Sequence, residues 1–217
     1  MKKIQLNLGC GIQVKKGFIN VDNFFTLEDL KAKKGAFVDA VVEKGGTFVK
    51  ADLCKLPFPN DYADYIECME TIEHIPFRSL IAALEEMRRV LKPGKKLCIS
   101  APDFDYLATK WATDMAYQEW GHQIYAARYA DLTEYIFGNQ AGPWEVHRTP
   151  LNPPALKNYM LCAKWKPEDF SIRVIKAGGT ESPPTKTLKW PKGVPPLYDM
   201  LWLEAIKQAL DKCIVLV

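Results

Sequence analysis

The 217-residue sequence predicts an α/β fold with a mostly parallel sheet, on three observations. A short apolar run, "IQLNL" at 4–8, ends in Gly9-Cys10-Gly11, a strand running straight into a glycine turn. Strand and helix signals then alternate through the first hundred residues. Finally, "LIAALEEMRRVL" at 80–91 is followed by "KPG" and the apolar run "KLCISAP" at 96–102, a helix, a stop and another strand. Alternating β and α units of this size imply right-handed crossovers and parallel pairing.

Taken in order, 4–8 reads as a buried strand and "FINVD" at 18–22 as a second. "EDLKAKK" (28–34) reads as a short helix, and "TFVKAD" (47–52) and "DYIECM" (64–69) as strands. In 80–91, Leu80, Leu84, Met87 and Leu91 fall on one helical stripe, with Glu85, Arg88 and Arg89 expected in water. From Asp103 to Pro150 the rhythm breaks into an aromatic, Ala-rich stretch read as two helices. No linker precedes it, so 103–150 is read as a helical lid or insertion within a single domain, 1–217. Its aromatics Tyr106, Trp111, Trp120 and Tyr125 are expected to pack among themselves. A helix resumes at 154–164, a strand at 170–178, a loop at 182–196, and "MLWLEAIKQ" (200–208) closes a hairpin with the strand before it.

Composition excludes several classes. With 48% hydrophobic and 25% charged residues and a net charge of +3, nothing marks a nucleic-acid partner. No apolar stretch approaches the roughly 20 residues of a membrane span, and the N-terminus turns polar too early for a secretory signal. The six cysteines (10, 54, 68, 98, 162, 213) include no C-x-x-C pair and read as free thiols of a reducing cytoplasm, with no metal set among them.

The glycine turn narrows the ligand. Val14 stands where a third glycine of Gly-x-Gly-x-x-Gly would fall. Only 11 positions separate Gly11 from Asp22, against about 20 in dinucleotide-binding folds. A strand must fit within that interval, leaving little more than one helical turn to face a pyrophosphate. Asp22 still ends a strand, where a carboxylate can accept from two ribose hydroxyls. Facing a crevice, it is expected to be solvated and to matter little for stability. A ligand with an adenosine and no phosphate suits both facts. Asp52 ends the third strand, where it can accept from an adenine amino group while the N–H of Leu53 meets a ring nitrogen.

The run "LNLGCG…GFINVD…ADLCKLPF…DYIECMETIEHI…RRVLKPGKKLCISAPD" resembles the class I S-adenosylmethionine-dependent methyltransferases, in particular their small-molecule-type domains. The resemblance is close over 4–103 and fainter over 145–160. It implies a Rossmann-like seven-stranded sheet, mostly parallel with the last strand antiparallel, and a helical insertion after strand 5. It also implies S-adenosyl-L-methionine as cofactor. Gly9, Cys10 and Gly11 would face its methionine portion and Asp22 its ribose; Asp52 and Leu53 would hold the adenine. Met69 and Glu70, with His74 nearby, would line the site around the sulfonium.

Methyl transfer needs alignment and dryness more than acid or base, unless the nucleophile must lose a proton. Asp103 and His147 are the catalytic candidates, against readings of Asp103 as a helix cap and His74 as a loop-orienting residue. A base at His147 would make the rate rise with pH near the ordinary histidine value of about 6.5. The acceptor expected is a small molecule; an RNA or protein acceptor, and a binding protein on a degenerate form of the fold, are the alternatives. Nothing in the sequence fixes the oligomeric state.

Overall fold

The structure is a computed structural model describing residues 3–32, 46–116, 132–176 and 199–208. Seven strands form one sheet in the order β3-β2-β1-β4-β5-β7-β6: β1 (Gln5–Leu8), β2 (Ile19–Asp22), β3 (Thr47–Lys50), β4 (Ala63–Met69), β5 (Leu91–Pro102), β6 (Phe170–Ile175) and β7 (Met200–Ile206). Strands β1 to β5 pair in parallel, and β7 runs antiparallel to both β5 and β6. The helices are α1 (27–32), α2 (Phe77–Val90), α3 (Phe104–Ala116), α4 (132–137) and α5 (Pro153–Cys162). The chain order reverses at β1, whose neighbours are β2 and β4, and a crevice at the carboxyl ends is the geometric consequence.

The core lies between one sheet face and the α2–α5 layer. Helix α2 buries Leu80, Ala83, Leu84, Met87 and Val90, as its 3.6-residue period requires, and α5 adds Leu156 and Met160. Fully buried Leu6, Leu8, Ile66, Leu97 and Ile99 meet them from the sheet. Asn152 caps α5, its side chain accepting from the N–H of Ala155 at 2.8 Å ahead of Pro153 and Pro154.

Three local expectations give way, at Leu91, at "KPG" and at Arg89. Between β1 and β2, where the spacing left little more than one helical turn, there is no helix: the segment is a turn held by side chains. Asn20 accepts from the N–H of Lys15 (2.7 Å) and from Asn7 (2.9 Å), and donates to the carbonyls of Lys15 and Thr47 (both 3.1 Å). Leu91, expected as the last core position of the α2 stripe, is already extended (ψ 133°). The "KPG" tripeptide therefore lies inside β5, at an irregularity between the Ala63–Leu91 and Tyr65–Lys96 pairings, where Gly94 has φ +73°. Arg89, expected in water, donates to the carbonyls of Leu56 and Phe58 and to Glu86, clamping the loop before β4. Segment 182–196, Trp120, Tyr125 and Cys213 lie outside the described residues, as does the end of the helix expected at 28–34.

The stretch after β5 leaves and re-enters the fold at one point. The N–H of Phe104 donates to the carbonyl of Leu151 at 2.8 Å, and Asn152 donates to Asp105 at 3.0 Å. Within it Trp111 of α3 meets Phe137 of α4 edge to face at 6.3 Å. Among the described residues no helix is long and apolar enough to cross a membrane. Cys10, Cys54, Cys68, Cys98 and Cys162 are free.

Candidate functional site

A cavity of about 1000 Å³ opens at the carboxyl ends of β1 to β4. Gly9, Cys10, Gly11, Asp22, Asp52, Leu53, Met69, Glu70 and His74 all line it, and so does His147. Asp103 does not. It is buried at the start of α3, where it accepts from the N–H of Asp105 at 3.2 Å, and burial raises its carboxyl pKa. The structure therefore places it as a helix cap.

The two glycines of the turn differ in purpose. Both have positive φ, +65° at Gly9 and +47° at Gly11. A Cβ on Gly9 would stand 2.0 Å from the Thr71 methyl, so Gly9 makes room for Thr71 rather than for a ligand; the Thr71 hydroxyl donates to the Gly9 carbonyl. A Cβ on Gly11 would meet nothing within 4 Å: this glycine borders the cavity itself.

Asp22 is not a solvated carboxylate. It is 7% exposed; Oδ2 accepts from the Gly11 N–H (2.9 Å) and Oδ1 from Phe24 (2.8 Å) and Phe25 (3.2 Å). Of about four lone-pair positions on a carboxylate, these three bonds leave one, on Oδ2. Asp52 is exposed and gives one of its positions to the N–H of Cys54 (2.8 Å).

Past β4, Glu70 holds a left-handed backbone (φ +47°), strained for a residue with a Cβ, and its N–H and carboxylate both bond Ser100 of β5. The short 3₁₀ turn Ile72–His74 then carries Glu73 and His74 to the cavity wall. Segment 146–149 docks on this turn. The N–H groups of Arg148 (2.7 Å) and Thr149 (3.0 Å) donate to the Glu73 carbonyl, and the Thr149 hydroxyl donates to that of Ile75 (2.6 Å). His74 and His147 meet edge to face at 4.7 Å. Burial, with His147 beside it, lowers His74 to about 4, and burial lowers His147 as well. A base at His147 would thus titrate below 6.5. Glu73 goes the other way, raised by burial and by the Glu70 charge.

The remaining wall comes from Trp144, whose ring packs against Phe25 at 5.4 Å and Phe24 at 6.1 Å, joining the chain after α4 to the chain after β2. Sequence reasoning missed Trp144 and Glu73. It also missed Lys15, which pairs with fully buried Glu67 of β4 under the turn. Their only sequence signal was adjacency to residues already singled out.

The chemistry of the lining bears on what fits. Among the described residues, six acidic side chains (Asp22, Asp52, Glu70, Glu73, Glu134, Glu145) and two cations, Lys15 and Arg148, line the cavity. No helix N-terminus points in from the glycine turn. Such a lining suits a cationic ligand and disfavours a pyrophosphate. A sulfonium with an ammonium, joined to a ribose and an adenine, matches the charge, and about 1000 Å³ holds it with room for a second molecule.

Residues 6–99 match the family described as "Methyltransferase domain". A cycloartenol-C-24-methyltransferase of Arabidopsis thaliana is 31% identical over 103 residues, 44% of this chain and 30% of that protein's length. The fold is shared with a SAM-dependent methyltransferase of Archaeoglobus fulgidus (TM-score 0.53, 15% identity, 94% of this chain and 86% of that one). It is shared too with a phosphoethanolamine N-methyltransferase of Haemonchus contortus, solved with phosphomonomethylethanolamine and S-adenosylhomocysteine (TM-score 0.54, 13% identity, 96% and 49%).

Proposed function

We propose that the chain is a class I S-adenosylmethionine-dependent methyltransferase, whose cavity binds S-adenosyl-L-methionine and passes the methyl group to a small-molecule acceptor. The observation that carries this reading is the acidic cavity at the carboxyl ends of β1 to β4, entered by a glycine turn with no helix behind it. The cofactor supplies a methyl already activated on sulfur. The protein's part is binding, alignment and exclusion of water.

In this reading Gly11 leaves space for the methionine portion, and Asp22 Oδ2 accepts one ribose hydroxyl. Asp52 and the Leu53 N–H take the adenine. Met69 and Glu70 flank the sulfonium, the acid offering a counter-charge to a cation. Segment 103–150 acts as an insertion on the acceptor side, with His147 and Arg148 at its end. An acceptor between these and Glu70 is walled from water by Trp144 and Phe25. Reducing conditions, as in the cytoplasm, suit the free thiols.

Methyl-tritiated S-adenosylmethionine, offered with separate pools of small metabolites, of RNA and of peptides, tests the acceptor class. Label in the metabolite pool supports the proposal. Label confined to RNA or peptide overturns it.

A further inference from the structure

Glu73, His74 and His147 bring one carboxylate oxygen and two imidazole nitrogens within 4.8 Å of one another on the cavity wall. We propose that these three residues form a metal site for a divalent first-row transition cation, with open positions facing the cavity. Two atoms of the set are buried without a hydrogen-bond partner among the described residues: Glu73 Oε2 and His74 Nδ1. Glu73 is 3% exposed, and an ion would compensate an acid otherwise left uncompensated in the wall.

The backbone of Val146 lies beside the His74 ring, and an Nε2–H turned to its carbonyl would leave the lone pair on Nδ1, the buried atom without a partner. A ligand histidine donating its other N–H to a carbonyl is the usual supporting arrangement. The backbone of Tyr135 and Ile136 lies beside the His147 ring.

Two imidazoles and one carboxylate suit zinc or iron(II) and leave coordination positions free. Ligand atoms around tetrahedral zinc stand about 3.3 Å apart for bonds of about 2.0–2.1 Å. The set must therefore close by rotation of its side chains, which breaks no bond at Glu73 Oε2 or His74 Nδ1. Occupied in this way, His147 is a ligand and not a general base. An acceptor with a hydroxyl or carboxylate would reach the ion from the cavity.

The test is calorimetric titration of Zn²⁺ into chelator-treated protein without S-adenosylmethionine, alongside visible spectra with Co²⁺. Metal binding is read directly, so it stands or falls separately from cofactor binding. One equivalent should bind, and Glu73→Gln, His74→Ala and His147→Ala should each weaken binding at least about tenfold. Zn²⁺ should raise the melting temperature of the native protein and not of His147→Ala, a truncation at a half-buried ring that serves even where Glu73→Gln fails to fold. No binding, binding unchanged in all three variants, or a cysteine-to-Co²⁺ charge-transfer band would each overturn the proposal.

Discussion

Asp22 spends most of its hydrogen-bonding capacity on the protein. Three backbone N–H groups converge on a carboxylate that is 7% exposed, holding the turn at Gly11 against the chain at Phe24 and Phe25. Bonds to a charged acceptor are worth about 1.5–3 kcal/mol each at most, and water entering from the cavity replaces part of that. Asp22→Ala should therefore cost about 2–3 kcal/mol of stability as well as cofactor affinity. For a chain of this size that is a fall of about 5–10 °C in Tm, which differential scanning calorimetry reads. An unchanged Tm would return Asp22 to the solvated carboxylate that its sequence position implied. The residue and its place at a strand end were legible in the sequence. Its partners were not, because they depend on how a loop of the next unit curls back. Thr71 shows the same limit: Gly9 is legible as a glycine turn, but the side chain that requires it lies past the end of β4, ahead of the 3₁₀ turn.

At the level of elements, the individual strands and helix α2 were legible as apolar runs and a helical stripe, because a buried face repeats locally whatever the chain does elsewhere. What periodicity could not reveal was how the turn between β1 and β2 is held. Asn7 and Asn20 supply by side chain the hydrogen bonds that a helix would have made for itself, and single buried asparagines leave no repeat to read. The wall after α4 depends on one such position. Gly138 caps α4 with φ +79°, its N–H donating to Glu134 at 2.7 Å, and a Cβ there would lie 1.6 Å from the Glu145 carbonyl oxygen. Gly138→Ala should push segment 145–148 off its seat while leaving the sheet intact. Hydrogen exchange measures this: the amide of His147, bonded to the Phe137 carbonyl at 3.0 Å, should lose protection, and the β4 and β5 amides should keep theirs. Equal protection at His147 in both proteins would mean that the segment tolerates the side chain.

For the whole molecule, function rests on where the sheet reverses and on the sign of the charge collected there. The acids at the ends of β2, β3 and β4 were each visible in sequence as strand-end carboxylates. That they meet Glu73, Glu134 and Glu145 around one cavity, with Lys15 and Arg148 the opposing cations among the described residues, emerges only when the insertion closes back on Leu151. Likewise His74 and His147 were named separately, and their edge-to-face contact depends on Glu73's carbonyl receiving two N–H groups from the returning chain. A cavity with this charge should take a cation bearing an adenosine and refuse a dinucleotide of similar size. The most direct measurement is a pair of calorimetric titrations under identical conditions, S-adenosylmethionine in one and NAD in the other. Saturable one-to-one binding of S-adenosylmethionine in the micromolar range, with no measurable heat from NAD, is the predicted result. Binding of NAD with none of S-adenosylmethionine would contradict it.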